Sequence, residues 1–471
     1  MSKPRSPLRA ISDILLVVLF SVGFFEAELF PVGPLMLTTT EIAIGLYVLA
    51  VFAWLASERK APLPRDSVAW ALLAIVGTMA VSTVFCERYP VMALKYTVRF
   101  FAVVLCYLAF YSHMSDPEVH RRAFRVMAAA AVLIALLGIV EHFAFDAVKP
   151  LLRPFRSRIL VDVPEPVFLS SGLLFEGDSF VIRSSSVFLH ANTLGYFLAL
   201  TSLLFLSAYP KQAGTRDKWI YASVLLLFGC CMVFTYSRGA FLALAIPLGA
   251  VLTIRLATGG HRRGFTRAYG LILVAVVLVA GLMVATQRDF LRGMSALFSA
   301  KIADPLEERL TGMRAEGPPV SQGYRSSSLE SRFALWRASL RLWRSHRLTG
   351  VGPDNFRMLF FENLDYVNED LEIHKGLLRA HNLFLDVLAE MGLLGLGALL
   401  LLLAAVTVRL VVLLRSGGAS LQNLSLAGAF GVFLIGNLFD VIYYYHIYMI
   451  PVLALFCVIS LRSRDGAVPD A

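Results

Sequence analysis

Charged residues are scarce in this chain. Only 16% of its 471 residues are Asp, Glu, Lys or Arg, and 58% are hydrophobic. Soluble domains carry nearer to a quarter charged residues, so this composition excludes an ordinary soluble domain and predicts an integral membrane protein. The formal net charge of +10 is then first a signal of membrane orientation. Nucleic-acid binding is the poorer interpretation, and we expect no nucleic-acid partner.

The chain also lacks the patterns of several cofactor-binding classes. Its five cysteines are odd in number and include no CxxC pair, which argues against a disulfide framework or a cysteine metal site. No GxxxxGK[ST] loop is present, and no GxGxxG follows an expected strand, so neither ATP nor a dinucleotide is expected. We therefore expect no metal and no other cofactor.

Apolar stretches are abundant, and twelve of them are long enough to cross about 30 Å of hydrocarbon. The first follows a short basic N-terminus without a convincing cleavage site, so we interpret it as a retained span rather than a signal peptide. The predicted fold class is an all-α integral membrane protein with about 12 transmembrane helices. The stretches lie at 10–26, 37–56, 67–86, 91–112, 122–144, 191–209, 219–236, 239–257, 268–286, 385–408, 423–440 and 443–461.

Two hydrophilic segments divide these spans into groups. The predicted divisions are 1–144 with spans one to five, 145–190 as an outer segment, 191–286 with spans six to nine, 287–382 as a large helical outer loop, and 383–471 with spans ten to twelve and an inner tail. Lys and Arg concentrate in alternate short links, which places both termini on the inner side. The two long segments then face outward, where ATP and nucleotide sugars are not expected as substrates.

Arg238 occupies the tight turn between spans seven and eight. A cation at membrane depth costs about 2.5–3.5 kcal/mol even on the lenient insertion scale. One interpretation is a side chain that reaches the lipid headgroups. The other is a phosphate ligand at the N-terminus of the following helix, with Gly239 allowing a close approach of the ligand.

Arg332 opens a segment in which large apolar residues recur at helical spacing. These residues are Phe333, Trp336, Leu340 and Trp343. Ser327 and Glu330 have the spacing of a capping box. The pattern predicts an amphipathic helix lying on the membrane, which explains most of its arginines. Arg332, at the expected helix start, is the one we consider as an anion ligand.

His381 and Asn382 stand where the tenth span begins. Asn382, Asp386 and Glu390 are four residues apart and share one helix face, whereas His381 lies off that line. A lone histidine here is either an interface residue or a catalyst, and a bond to a carboxylate is not implied. Glu390, inside a span, is expected to pair with a basic residue or to support a site.

Arg183 precedes a serine run, His190 and Asn192, just before the sixth span. Basic residues in outer segments usually contact lipid headgroups. The alternative is that Arg183 helps to attract an anionic substrate.

Together these motifs resemble the bacterial O-antigen ligase and polymerase superfamily. The resemblance covers roughly residues 180 to 460 and depends on the joint order of loose motifs. They are Arg183 through Asn192, Tyr236 through Gly239, Ser331 through Trp336, Gly350-Val-Gly352 with Phe356, and His381 through Gly395. The layout is most similar to the lipopolysaccharide O-antigen ligases.

The resemblance implies a function in the periplasm, at the bacterial inner membrane. An O-antigen polysaccharide would move from undecaprenyl pyrophosphate to lipid A–core oligosaccharide by inverting, metal-independent glycosyl transfer. Arg238 and Arg332 would bind the pyrophosphate, with Arg183 as a third contact and Asn382 binding substrate. Asn192 and Glu390 would support the site. His381 would accept the acceptor's proton, or else bind phosphate as a cation.

Alternatives remain open at this point. The family motifs describe donor handling, so an O-antigen polymerase or a protein O-oligosaccharyltransferase on the same carrier fits them too. A transporter is a different class, but no clear repeat relates one half of the chain to the other. The large outer loop is expected to cover the site as a lid.

Overall fold

The structure is a computed structural model that describes residues 6–25, 27–32, 35–60, 66–156, 173–176, 179–188, 190–210, 214–258, 328–362, 379–441 and 446–464. The helices are α1 (Pro7–Val22), α2 (Thr39–Ser57), α3 (Ser67–Val84), α4 (Pro90–His113), α5 (Pro117–Phe143), α6 (Phe145–Arg156), α7 (Ala191–Ser207), α8 (Thr215–Phe234), α9 (Arg238–Ala257), α10 (Ser328–Ser345), α11 (Phe356–Glu362), α12 (Leu383–Gly417), α13 (Leu421–Phe439) and α14 (His446–Arg464). Two antiparallel hairpins pair β1 (Glu28–Val32) with β2 (Leu35–Thr38) and β3 (Leu173–Glu176) with β4 (Ser179–Ile182).

Eight of the described helices are long and apolar enough to cross a membrane, namely α2, α3, α4, α5, α8, α9, α12 and α13. Helix α7 is apolar but shorter, and α1 and α14 occupy the first and last predicted stretches. The mostly helical membrane-protein class is confirmed, with the two hairpins as a small addition. The predicted span at 268–286 lies outside the described residues, and the total of twelve stays a prediction.

Helix α7 is the most enclosed of these elements, although it is short. Nearly all of its residues are buried, and it packs against α8, α9 and α13. Small residues allow this close packing, because a Cβ on Gly195 would lie 2.7 Å from the Cβ of Ala240. The N-terminal part of α7 therefore lies close to the end of α8 and the start of α9.

Helix α12 is broken inside the apolar region. Gly392 has φ +64° and ψ −159°, which no helix accommodates. The segment 347–352 bonds to the backbone on both sides of the break: Val351 donates to Ala389 O (3.0 Å) and Gly352 to Glu390 O (2.9 Å), while Leu393 donates to Arg347 O (2.9 Å) and Leu394 to Leu348 O (3.1 Å). Irregular backbone at membrane depth is tolerated where protein satisfies it in this way.

This pairing corrects one expectation. The tenth span is not a plain helix over 385–408, because it is broken at Gly392 and runs on to Gly417. Residues 347–352 of the large loop are held to α12 by backbone hydrogen bonds, and Ser82 of α3 donates to Thr349 O (2.5 Å) and Glu390 O (2.8 Å) at the same place. That the loop covers the site as a lid stays a prediction.

Helix α10 differs from its prediction in both start and buried face. It begins at Ser328, so Arg332 lies in the second turn rather than at the start, and Ser327 lies outside the described residues. Its buried side chains include Leu335 and Leu342, which pack with Phe356 and other residues of α11 and α12. Phe333, expected on the apolar face, is 47% exposed. The buried face of α10 is therefore the one that packs against α11 and α12.

Candidate functional site

His381 lies against Asp440, which follows the last residue of α13. The Nδ1 atom of His381 is 3.2 Å from Oδ1 of Asp440. The two side chains are 31% and 16% exposed, so the pair is partly accessible. Our sequence reasoning named no partner for His381, because the two residues are 59 positions apart. The available signal was an acidic residue at the end of an apolar span.

Asp440 is ionised at neutral pH. Burial acts to raise its pKa, but the charge and hydrogen bond of His381, together with the Val441 N–H, lower that pKa to about 2. An ionised carboxylate can only accept hydrogen bonds, so the Nδ1 atom of His381 carries the proton in this pair. In the neutral imidazole the lone pair is then on Nε2, which is the arrangement of an oriented general base.

Arg183 is tied to the same pair through Asn192. Its Nη2 donates to Asn192 Oδ1 (2.9 Å) and its Nε to Thr235 O (2.9 Å), while Asn192 Nδ2 lies 3.4 Å from Asp440 Oδ2. Burial lowers the pKa of Arg183 to about 10. The Asp440 charge opposes this shift. Arg183 remains a cation at neutral pH.

The serine run after Arg183 enters the protein interior and is held there by Glu141 of α5. The backbone N–H groups of Ser185 and Ser186 donate to Glu141 Oε2 at 2.9 and 2.6 Å. The N–H of Ser184 donates to Phe234 O at the end of α8 (2.8 Å). A buried carboxylate thus fixes the backbone that presents Arg183, and our sequence reasoning did not identify Glu141.

Arg238 and Arg332 complete the cationic side of the site. Arg238 is the first residue of α9 and is exposed, and Arg332 of α10 is half-buried. Both lie close enough to Arg183 to lower its pKa further, and Arg332 also contributes to the low pKa of Asp440. Within the described part of the chain, neither guanidinium forms a hydrogen bond or an ion pair. Both are therefore available to an anion.

The space beside Gly239 is filled by protein. A Cβ at this position would lie 2.2 Å from the hydroxyl oxygen of Tyr196. The expectation that Gly239 leaves room for a ligand is therefore wrong on this side of the residue. Close packing of α9 against α7 explains the glycine instead.

Asn382 and Glu390 have structural partners. The Asn382 side chain caps α12 by accepting from the Leu385 N–H (3.1 Å), and it donates to Leu438 O (3.2 Å). Its expected contact with substrate stays a prediction. The basic partner expected for Glu390 is Arg379, whose Nη1 lies 2.8 Å from Glu390 Oε1.

The candidate site therefore gathers side chains from five parts of the chain. Arg183, Arg332 and His381 lie near the anionic Asp440, and Asn192 lies between Arg183 and Asp440. Arg238 lies near Arg183. A concentration of permanent cations beside an oriented imidazole, on a bundle of membrane helices, is chemically suited to an anionic ligand.

Residues 222–400 match the family model Wzy_C, described as O-antigen ligase. This match covers less than half of the chain and supports an O-antigen ligase family assignment, in agreement with the resemblance found in the sequence. It also supports the coarser class of a membrane glycosyltransferase of the ligase and polymerase type. The matched region contains Arg238, Arg332, His381 and Glu390 but not Arg183, Asn192 or Asp440. No curated protein matches the chain.

Proposed function

We propose that this protein transfers an O-antigen polysaccharide from undecaprenyl pyrophosphate to lipid A–core oligosaccharide. The observation that supports this most directly is that Arg183 and Arg332 lie near the His381–Asp440 pair, with Arg238 near Arg183. A lipid pyrophosphate donor requires positive charge where the leaving group departs, and a sugar hydroxyl acceptor requires a base. This site offers both within one cluster.

The arginines act on the donor. Guanidinium groups are planar, permanently charged and able to bind phosphate with two hydrogen bonds. Arg238 and Arg332 carry the pyrophosphate, helped by the N-terminus of α9 at Arg238. Arg183 adds charge from a fixed position. Negative charge grows on the pyrophosphate as the glycosidic C–O bond breaks, so these contacts stabilise the transition state more than the bound donor.

His381 acts on the acceptor. Its Nε2 takes the proton from an acceptor hydroxyl as that oxygen bonds to the anomeric carbon, and the pyrophosphate leaves with the electron pair of the broken bond. Asp440 holds the ring and stabilises the imidazolium that forms. Attack from the face opposite the leaving group inverts the anomeric configuration, and the step uses no metal.

The proposed location is the periplasmic face of the bacterial inner membrane. Twelve spans with both termini in the cytoplasm would place the turn at Arg238 and the ends of α12 and α13 near His381 and Asp440 on that face. The divisions at 145–190 and 287–382 are then the periplasmic segments. This orientation derives from the distribution of Lys and Arg in the short links.

The deciding experiment supplies the purified protein, in lipid bilayers, with the carrier-linked donor and lipid A–core. We expect covalent product on lipid A–core, and none with His381→Ala. Longer chains on the carrier would instead identify a polymerase, and modified protein an oligosaccharyltransferase. Movement of the donor across the bilayer without any covalent product would overturn the enzymatic proposal.

A further inference from the structure

Arg379, two residues before His381, lies among three buried carboxylates. Its Nη1 is 2.8 Å from Glu390 Oε1 and 3.9 Å from Asp386 Oδ2, and its Nη2 hydrogen-bonds to Asp354. The side chain of Asp386 is fully buried, that of Glu390 is 2% exposed, and that of Arg379 is 13% exposed. Buried charges are stable only when they are paired in this manner.

The same carboxylates also hold backbone groups from two other segments. Glu390 accepts from the N–H groups of Asp354 (2.9 Å), in the turn before α11, and of Phe356 (3.1 Å), the first residue of α11. Asp386 accepts from the N–H of Ala380 (3.2 Å). This acidic cluster therefore joins α12, the turn at 354–356 and the residues just before His381 into one unit.

His381 itself has a strained backbone. Its φ is +48°, in the left-handed region, which is unfavourable for a residue with a side chain. Such a conformation persists only where the surroundings fix it. On one side Arg379 and Ala380 are bound to the acidic cluster, and on the other Asn382 is bound to the ends of α12 and α13.

We propose that Arg379 is a positioning residue that keeps His381 in this conformation and so directs its imidazole toward Asp440. The proposal rests on the function proposed above, in which His381 is the proton acceptor. Arg379 suits the task because its two terminal nitrogens reach two different carboxylates at once. A lysine ammonium keeps the charge but is a compact point charge without that planar fork.

A purely structural role for Arg379 is the competing explanation, and the chain offers a matched control for it. Arg409 also pairs with a buried carboxylate, because its Nη2 is 3.2 Å from Oδ1 of Asp66. It belongs to α12 itself, thirty residues further along the sequence. Arg379→Lys and Arg409→Lys therefore make the same chemical change in two buried ion pairs, of which only one adjoins His381.

The first test compares the steady-state kinetics of both variants with those of the unaltered protein. We expect Arg379→Lys to lower kcat by about tenfold to a hundredfold, the loss typical of a misplaced catalytic group. The KM for donor should stay within about twofold, because the arginines that bind pyrophosphate are unchanged. Arg409→Lys should retain kcat within about threefold at equal folded yield. Equal losses of kcat in the two variants would overturn the proposal.

The second test needs no assumption about the reaction. A His381→Cys/Asp440→Cys pair is treated with dibromobimane, which becomes strongly fluorescent when it links two neighbouring thiols. The native cysteines are mostly buried, and the two single-cysteine variants correct for their background. We expect the two introduced thiols to be linked rapidly when Arg379 is unaltered, and also in the Arg409→Lys background. In the Arg379→Lys background we expect linkage to be about tenfold slower.

The two tests separate the possible failures. Unchanged linkage with Arg379→Lys would refute the positioning role even if the protein is a ligase. If the unaltered protein transfers no glycan to any acceptor but linkage still depends on Arg379, then the proposed function fails while the positioning of residue 381 stands.

Discussion

At the scale of single residues, Asp440 determines which ring nitrogen of His381 carries the proton. Because the pKa of Asp440 is lowered to about 2, its carboxylate is ionised at neutral pH. A depressed carboxyl pKa contributes stability above the ordinary pKa of about 4, and that contribution is lost as the pH falls through about 2. Between pH 5 and 9, Asp440 should therefore cause no change in activity or stability.

The pH dependence of turnover consequently reports on His381. As a base, it must be neutral before reaction, so we expect kcat to rise with increasing pH. The measurement is initial rate against pH at saturating donor and acceptor. A rate that falls with increasing pH would show that His381 binds phosphate as a cation.

Asp440→Asn tests the pair directly. The amide can donate to Nδ1 and so favour the wrong tautomer, which should lower kcat by about a hundredfold to ten thousandfold. Asp217→Asn, a comparable change at the N-terminus of α8, should leave kcat within about twofold. Near-normal turnover by Asp440→Asn would remove Asp440 from the site.

The arginines should respond differently to two substitutions. Arg238→Ala and Arg332→Ala should each lower kcat/KM by about a hundredfold or more, and Arg→Lys should recover little of this because one ammonium cannot replace a bidentate guanidinium. Transfer is measured at matched protein levels. Arg344→Ala, at an exposed position on α10, is the control and should have little effect. Full recovery by lysine would indicate a general charge effect.

At the scale of elements, the break in α12 is the feature on which the site depends. A Cβ on Gly392 would lie 2.3 Å from the carbonyl carbon of Leu348, and one on Gly350 would lie 2.3 Å from that of Glu390. Both glycines also have positive φ. The broken helix and the 347–352 segment are thus complementary in shape, and together they place Glu390 beside Arg379.

Alanine substitutions on α12 should show that stability depends on the glycine at the break and not on every glycine of the helix. We expect Gly392→Ala to destabilise the protein by about 2–4 kcal/mol, since backbone atoms rather than a mobile side chain must move. Thermal unfolding in detergent measures the change. Gly397→Ala is the matched control on the same helix, because its Cβ would meet nothing within 4 Å. Equal melting temperatures for the two variants would contradict this account.

At the scale of the whole molecule, the site requires one orientation in the membrane. Arg88 lies in a link expected outside, and Arg216 in one expected inside, and both side chains are exposed. Arg88→Cys should react with a membrane-impermeant maleimide in cells whose outer membrane is permeable, and Arg216→Cys should react only after lysis. The reverse pattern would place the site in the cytoplasm and exclude a periplasmic donor.

Much of the site could be predicted because charged residues are conspicuous at the edges of apolar spans. Arg238, Arg332 and His381 were found in this way. Asp440, Glu141 and Arg379 were missed, since each acts through a partner far away in the sequence or inside another helix. Asp440 was visible as an acidic residue at the end of an apolar span, but no local pattern linked it to His381, or Glu141 to the serine run.

The sequence by itself determined that the chain is a helical membrane protein, because the bilayer imposes its length and apolarity on each span separately. It also located most of the described apolar helices to within a few residues of their observed bounds. Only the tertiary structure decided that α12 is broken at Gly392, because the backbone groups that satisfy the break come from residues 347–352. Only the tertiary structure decided, too, which polar helix ends meet at Asp440, since that depends on packing between helices rather than on the burial of each one.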